Sequence, residues 1–247
     1  MSQKKFEIGL VMAGAVSAGA YTAGVIDFLL QALDEWQQAK DSNSTEAPPH
    51  DVKIKVIAGA SAGGMTGAIL SAMVNDDFAS ITSLPGKEPG AENIQKNKLY
   101  QSWVDRIDIK QLLSNGDLKG KHRKVKSLLD STVLEDIAEE AINFSSGMSW
   151  RSYLSEPMHL YLTLTNLQGI PYDIDFMGKS GKGHSISQHT DFMHFVLGRN
   201  NPGFKQAEWL DPNNNESENW NLLKKAALAT GAFPGGLAPR LLQRDFK

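Results

Sequence analysis

The sequence predicts an α/β fold: a mainly parallel central sheet flanked by helices in three layers, with a helical insertion. Two strand-to-helix units follow one another at the start of the chain, each joined by a run of small residues, and a third clear strand, Met158 to Thr165, comes much later. Successive units of this kind bury a parallel sheet under helices, with ligand chemistry at the carboxyl ends of the strands. Residues from about 97 to 150 carry helical periodicity and supply the insertion as a lobe, so 1–247 reads as one domain.

In chain order, Phe6 to Met12 is short, apolar and ended by small residues, which predicts a buried strand. Gly14 to Gly19 is a small-residue loop, and Val25, Phe28, Leu29, Ala32 and Trp36 then recur at helical spacing up to about Lys40. A polar, proline-containing connection from Asp41 to Asp51 leads to a second strand, Lys53 to Ala58, and a helix from Ser61 to about Val74. Turn residues predict a loop over Ile81 to Asn97, followed by helical stretches over Leu99 to Leu113 and Ser127 to Phe144. Asn166-Leu167-Gln168-Gly169 predicts a hairpin turn between the strand Met158 to Thr165 and a further strand, Ile170 to Met177. Lys179 to Gly183 reads as a flexible loop, and Trp220 to Thr230 as a helix ending near Gly231.

Composition excludes several classes of function. A chain of 247 residues with 41% hydrophobic and 21% charged residues buries a substantial core. Its formal charge of -3 is no polyanion-binding signature, which argues against a nucleic-acid partner. The absence of cysteine removes disulfides, thiolate chemistry and cysteine-based zinc sites. Lys4-Lys5 and the uncharged run from Ile8 to Ile26 superficially resemble a leader peptide or a membrane span, but Glu7, four glycines and a change from strand to helix period argue against both.

The chemistry centres on Gly59-Ala60-Ser61-Ala62-Gly63, between a β-branched strand and a helix-compatible segment. A serine on such a turn is held in a strained backbone conformation, and larger side chains at Gly59 and Gly63 would collide with the neighbouring strand and helix. The following helix N-terminus turns unpaired N–H groups toward the serine oxygen. A bland alternative is a Gly/Ala-rich turn with an incidental serine. The other junction, Gly14 to Gly19, forms an amide-lined nest, but a nucleotide phosphate loop would need Lys and Ser/Thr after its last glycine, where Ala20-Tyr21 stand. The better reading pairs it with the elbow: N–H groups of Gly14, Ala15 and Val16 supply an oxyanion hole opposite Ser61.

With both junctions in view, the chain resembles the patatin-like phospholipases and lipid acyl hydrolases, in particular a bacterial patatin-related subgroup. The likeness rests on Gly14 to Gly19, on Gly59 to Gly63, on Ala229-Thr230-Gly231-Ala232-Phe233-Pro234 with Pro239, and on the strand Leu160 to Thr165 with Asn166. It implies a serine acyl hydrolase of lipid esters, of phospholipase A or lipase type, using a Ser-Asp dyad with Ser61 as nucleophile and no cofactor. Two departures stand out. Ala18 takes the place of the family's basic loop residue, and no Asp-Gly pair exists to supply the aspartate; Asp245 is too close to Pro239. The chain is therefore expected to stop before its catalytic aspartate and to be inactive or nearly so by itself. The alternative is a catalytically inactive lipid-binding or regulatory module of the same fold.

Other features carry less. His184, His189 and His194 are spaced by five with no accompanying carboxylate motif, which argues against a metal site. The basic run containing Lys119, Lys121, Arg123, Lys124 and Lys126 reads either as a solvated loop or as a docking point for anionic lipid headgroups. The resulting expectation is a cytoplasmic protein, with peripheral membrane contact through that run as an alternative. Headgroup, acyl position, chain length and oligomeric state are not written in these residues.

Overall fold

The computed structural model describes residues 4–15, 19–81, 90–118, 125–145, 150–174 and 183–243. Five strands form one sheet in the order β1-β2-β3-β4-β5. β1 (Lys5–Met12), β2 (Asp51–Gly59) and β3 (Leu154–Ile174) are mutually parallel, β4 (His184–Leu197) runs antiparallel to β3, and β5 (Glu208–Leu210) is parallel to β4. The result is a mainly parallel sheet flanked by helices.

Inward-facing strand side chains build the core, at alternate positions in β3. Ile54 and Ile57 of β2, Met158, Leu160 and Leu162 of β3, and Phe195 and Leu197 of β4 are buried, and they join one cluster with helix α1 (Gly19–Asp41), helix α2 (Ala62–Met73) and helix α7 (Glu218–Gly231). β-Branched and leucine side chains at every second position suit such a half-buried surface. Because β1, β2 and β3 are neighbours in sequence order and parallel, crossovers containing helices join them, and α1 packs against α2. Trp220 anchors α7: it is fully buried, 4.7 Å from the Phe144 ring, and its indole N–H donates to the Asp211 carbonyl at 2.9 Å.

Between β2 and β3 the chain is broken into short helices. They are α3 (Ala91–Lys96), α4 (Lys98–Tyr100) running into a π-helical turn (Gln101–Asp105), α5 (Ile109–Leu112) and α6 (Thr132–Ala141). The loop expected over Ile81 to Asn97 is thus helical from Ala91 in its described part. The helical stretch expected over Leu99 to Leu113 starts where Asn97 Oδ1 accepts from the Tyr100 amide, and it is divided because Asp108 caps a new start, its Oδ1 accepting from the Lys110 amide. Asp27 of α1 ties this region down. Its buried carboxylate accepts from the Ser80 hydroxyl, the Ile81 amide and the Asn97 side-chain amide. A second carboxylate, Asp130, precedes α6 and accepts from Thr132 N–H, the Thr132 and Ser114 hydroxyls and Asp117 N–H, which holds it down to about 2.

The hairpin expected at Asn166 to Gly169 is also corrected. β3 does not reverse there. It continues to Ile174 through an irregularity between Thr165 and Ile170, and its antiparallel partner is β4. Asn166 Oδ1 accepts from the Gln168 and Gly169 amides, and Gly169 at φ +72° has no room for a Cβ, which would lie 2.9 Å from the His189 ring. These residues absorb extra length as a bulge rather than turning the chain. The loop expected over Lys179 to Gly183 lies outside the described residues up to position 182.

Candidate active site around Ser61

β2 ends at Gly59 and α2 begins at Ala62, so Ser61 sits on the two-residue turn between them. Its backbone is at φ 51°, ψ −123°, in the left-handed half of the map that side chains other than glycine avoid. Strain of this kind costs on the order of 1–3 kcal/mol and persists only where surrounding contacts over-determine it. Those contacts can be named. Ala60 N–H donates to the Met12 carbonyl at 3.1 Å, Ser61 N–H donates to Thr230 Oγ1 at 2.9 Å, and Met65 N–H returns to the Ser61 carbonyl at 2.9 Å.

The flanking glycines are required by space. A Cβ on Gly59 would lie 2.5 Å from the Gly63 and Gly64 backbone, and one on Gly63 would lie 2.3 Å from the Met12 carbonyl oxygen. Strand β1, the turn and the first turn of α2 are therefore packed backbone against backbone. Although Ser61 occupies the N-cap position of α2, its side chain makes no capping hydrogen bond. Among the described residues no carboxylate or histidine hydrogen-bonds its hydroxyl, which stays only partly buried at the carboxyl end of the sheet.

Gly14 is brought to the same point from the end of β1. A Cβ built on it would lie 3.1 Å from Ser61 Cβ, 3.5 Å from the Ala60 carbonyl oxygen and 3.9 Å from Ser61 Oγ. Two junctions 47 residues apart in sequence thus meet at the serine. Ala15 follows, partly buried against the core, and Val16 lies outside the described residues. A family model described as patatin-like phospholipase matches residues 10–245, which takes in both junctions and the end of α7. The chain belongs to the patatin-like phospholipase family. An uncharacterized protein, y4iI, of Sinorhizobium fredii (strain NBRC 101917 / NGR234) is 38% identical over 268 aligned positions, covering 98% of this chain. The chain spans 37% of the length of that relative.

Within this patatin-like domain, two arrangements could not be read from the sequence. One is Thr230, placed against Ser61 by α7 from 169 residues away. The other is a pair of imidazoles on adjacent strands. His159 Nδ1 and His194 Nε2 are 2.9 Å apart, and the Tyr161 ring stacks on His194 at 4.2 Å. Burial, reinforced by His159, lowers the His194 pKa to about 4, and burial together with nearby Lys55 lowers that of His159. Among the described residues no group of three or more His, Cys, Asp or Glu is placed to hold a metal ion.

A cavity of about 460 Å³ lies at the other end of α2, lined by Asp76, Lys98, Arg106, Ile137 and Glu140 among others. With α2 twelve residues long, it is roughly 18 Å from Ser61, and its charges are largely spent on each other through Lys98–Asp76 and Arg106–Glu140. Of the basic run, Lys126 is described and exposed, whereas Lys119, Lys121, Arg123 and Lys124 lie outside the described residues. Among the described residues no helix is long and apolar enough to cross a membrane.

Proposed function

We propose that this domain is the nucleophile-bearing part of a lipid acyl hydrolase, with Ser61 forming the acyl-enzyme. The observation that carries the reading is the strained, uncapped Ser61 at φ 51°, packed so close to Gly14 that even a methyl group there would press on the serine. A serine held off its helix cap has its hydroxyl free to attack, and the energy stored in the turn is worth retaining only if the position is used. Membership of the patatin-like family supports an ester of a lipid as substrate.

In the proposed reaction Ser61 Oγ attacks the ester carbonyl carbon while its proton passes to a carboxylate base, and the tetrahedral oxyanion is held by backbone N–H groups of the Gly14–Val16 loop. Collapse expels the alcohol portion of the lipid, which takes the proton back. Water then attacks the acyl-enzyme and releases the fatty acid. The base is proposed to be an aspartate outside these 247 residues, which leaves the isolated chain inactive or nearly so. Peripheral docking of the basic run containing Lys126 on anionic lipid is proposed as the route to the substrate surface.

The test is hydrolysis of a dispersed phospholipid and of a short acyl ester by the full-length protein and its Ser61→Ala variant. Loss of both activities in the variant, with unchanged folding, supports the reading. Equal rates would dispose of it.

A further inference from the structure

The geometry points to Thr230 as a positioning residue that holds Ser61 in its attacking conformation through the serine's own amide; this rests on Ser61 being the nucleophile. Ser61, at φ 51°, donates its N–H to neither of the regular ladders it lies between. The β2 ladder has already passed to Ala60, whose N–H goes to Met12, and the bonds that open α2 close later, from Gly63 to the Ala60 carbonyl and from Met65 to the Ser61 carbonyl. The partner left for Ser61 N–H is Thr230 Oγ1 at 2.9 Å, contributed by the last turn of α7. A partly buried amide left without an acceptor would favour relaxation of the turn out of its strained state.

Packing fixes the threonine as firmly as it fixes the serine. A Cβ on Gly64 would lie 2.7 Å from Thr230 Cγ2, and one on Gly231 would lie 2.6 Å from Met65 Sδ. The end of α7 therefore sits directly on the first turn of α2, with the Thr230 methyl against Gly64 and its hydroxyl aimed at Ser61. A β-branched residue, restricted at χ1, suits that task. The bond has a second consequence. An amide already donated to Thr230 is not free to donate to an oxyanion, so stabilisation of the tetrahedral intermediate falls to other N–H groups, those of the Gly14 loop foremost.

The experiment uses the full-length protein, with Thr230→Val to remove the hydroxyl at constant shape and Thr230→Ser to restore it. Labelling by a fluorophosphonate probe should slow about ten-fold in Thr230→Val, equivalent to ~1.4 kcal/mol, with kcat for a short acyl ester falling in parallel and KM within about two-fold. Thr230→Ser should stay near the wild-type rate. In the wild type, hydrogen exchange at the Ser61 amide should be protected, a readout independent of activity and of whether either variant folds. Wild-type protein labelled at Ser61, but with an unprotected amide or with Thr230→Val as fast as Thr230→Ser, overturns this inference alone. Wild-type protein that takes no label at Ser61 overturns the nucleophile reading and this inference with it.

Discussion

A methyl group added at Gly14 separates the chemistry of the site from the stability of the fold. The Gly14→Ala Cβ would lie 3.1 Å from Ser61 Cβ, about half an ångström inside the usual contact distance between carbons. Gly14 is exposed and its φ is not in the glycine-favouring region, so the backbone accepts alanine and the local shift should cost no more than about 1 kcal/mol. The same methyl, 3.9 Å from Ser61 Oγ, occupies space that a bound ester and its developing oxyanion would need. Displacements of about 1 Å in a reacting geometry cost on the order of 100-fold, and so does the loss of one oxyanion donor. The expected result for the full-length protein is a fall of about 100-fold in kcat/KM for a short acyl ester, close to 2.7 kcal/mol in barrier, at a nearly unchanged thermal midpoint. Gly24→Ala is the matched control, since nothing lies within 4 Å of its Cβ and alanine favours helix α1 by about 1 kcal/mol. A Gly14→Ala enzyme working within about three-fold of wild type would refute the convergence of the two junctions as the source of reactivity.

Other expectations follow from the same packing. Gly63→Ala should destabilise by ~2–3 kcal/mol, because its Cβ would press on the Met12 carbonyl at 2.3 Å, whereas helix propensity alone predicts the opposite sign; denaturant unfolding distinguishes the two. Trp220→Ala should cost ~4 kcal/mol in the same assay, since the ring is fully buried against Phe144 and its N–H is satisfied by Asp211. His194 binds its proton less readily folded than unfolded, so the unfolded chain takes up more protons between its ordinary pKa of 6.5 and about 4. Stability from this group is therefore fully present above about pH 6.5 and lost as pH falls to about 4. A His194→Phe variant should show a flatter stability profile across that window, and NMR titration of the imidazole should give a midpoint below that of free histidine.

Sequence period made the two opening strand-to-helix units readable, since Phe6 to Met12 and Lys53 to Ala58 alternate or run apolar for strand length and end in small residues; the burial expected of the first is corrected, because β1 is an edge strand with Phe6 and Val11 exposed. α7 was readable for the same reason. The lobe between β2 and β3 was less so: Asp108 restarts a helix inside one apolar period, and a cap overrides a pattern that continues across it. Asn166 to Gly169 has turn composition, yet the direction of β3 was settled by a partner strand some 20 residues on, which no local signal carries. At the site, Gly59, Gly63 and Gly14 could be predicted because glycine marks close backbone approach. Thr230 and the His159–His194 pair could not, because each depends on contact between residues far apart in sequence.

The measurement that bears most directly on the central claim is the position of covalent adduct formation. Full-length protein treated with a fluorophosphonate probe and digested should carry the probe on the peptide containing Ser61, with no adduct in Ser61→Ala. An unlabelled Ser61 in a folded, ester-hydrolysing protein, or an adduct on a different serine, would contradict the account.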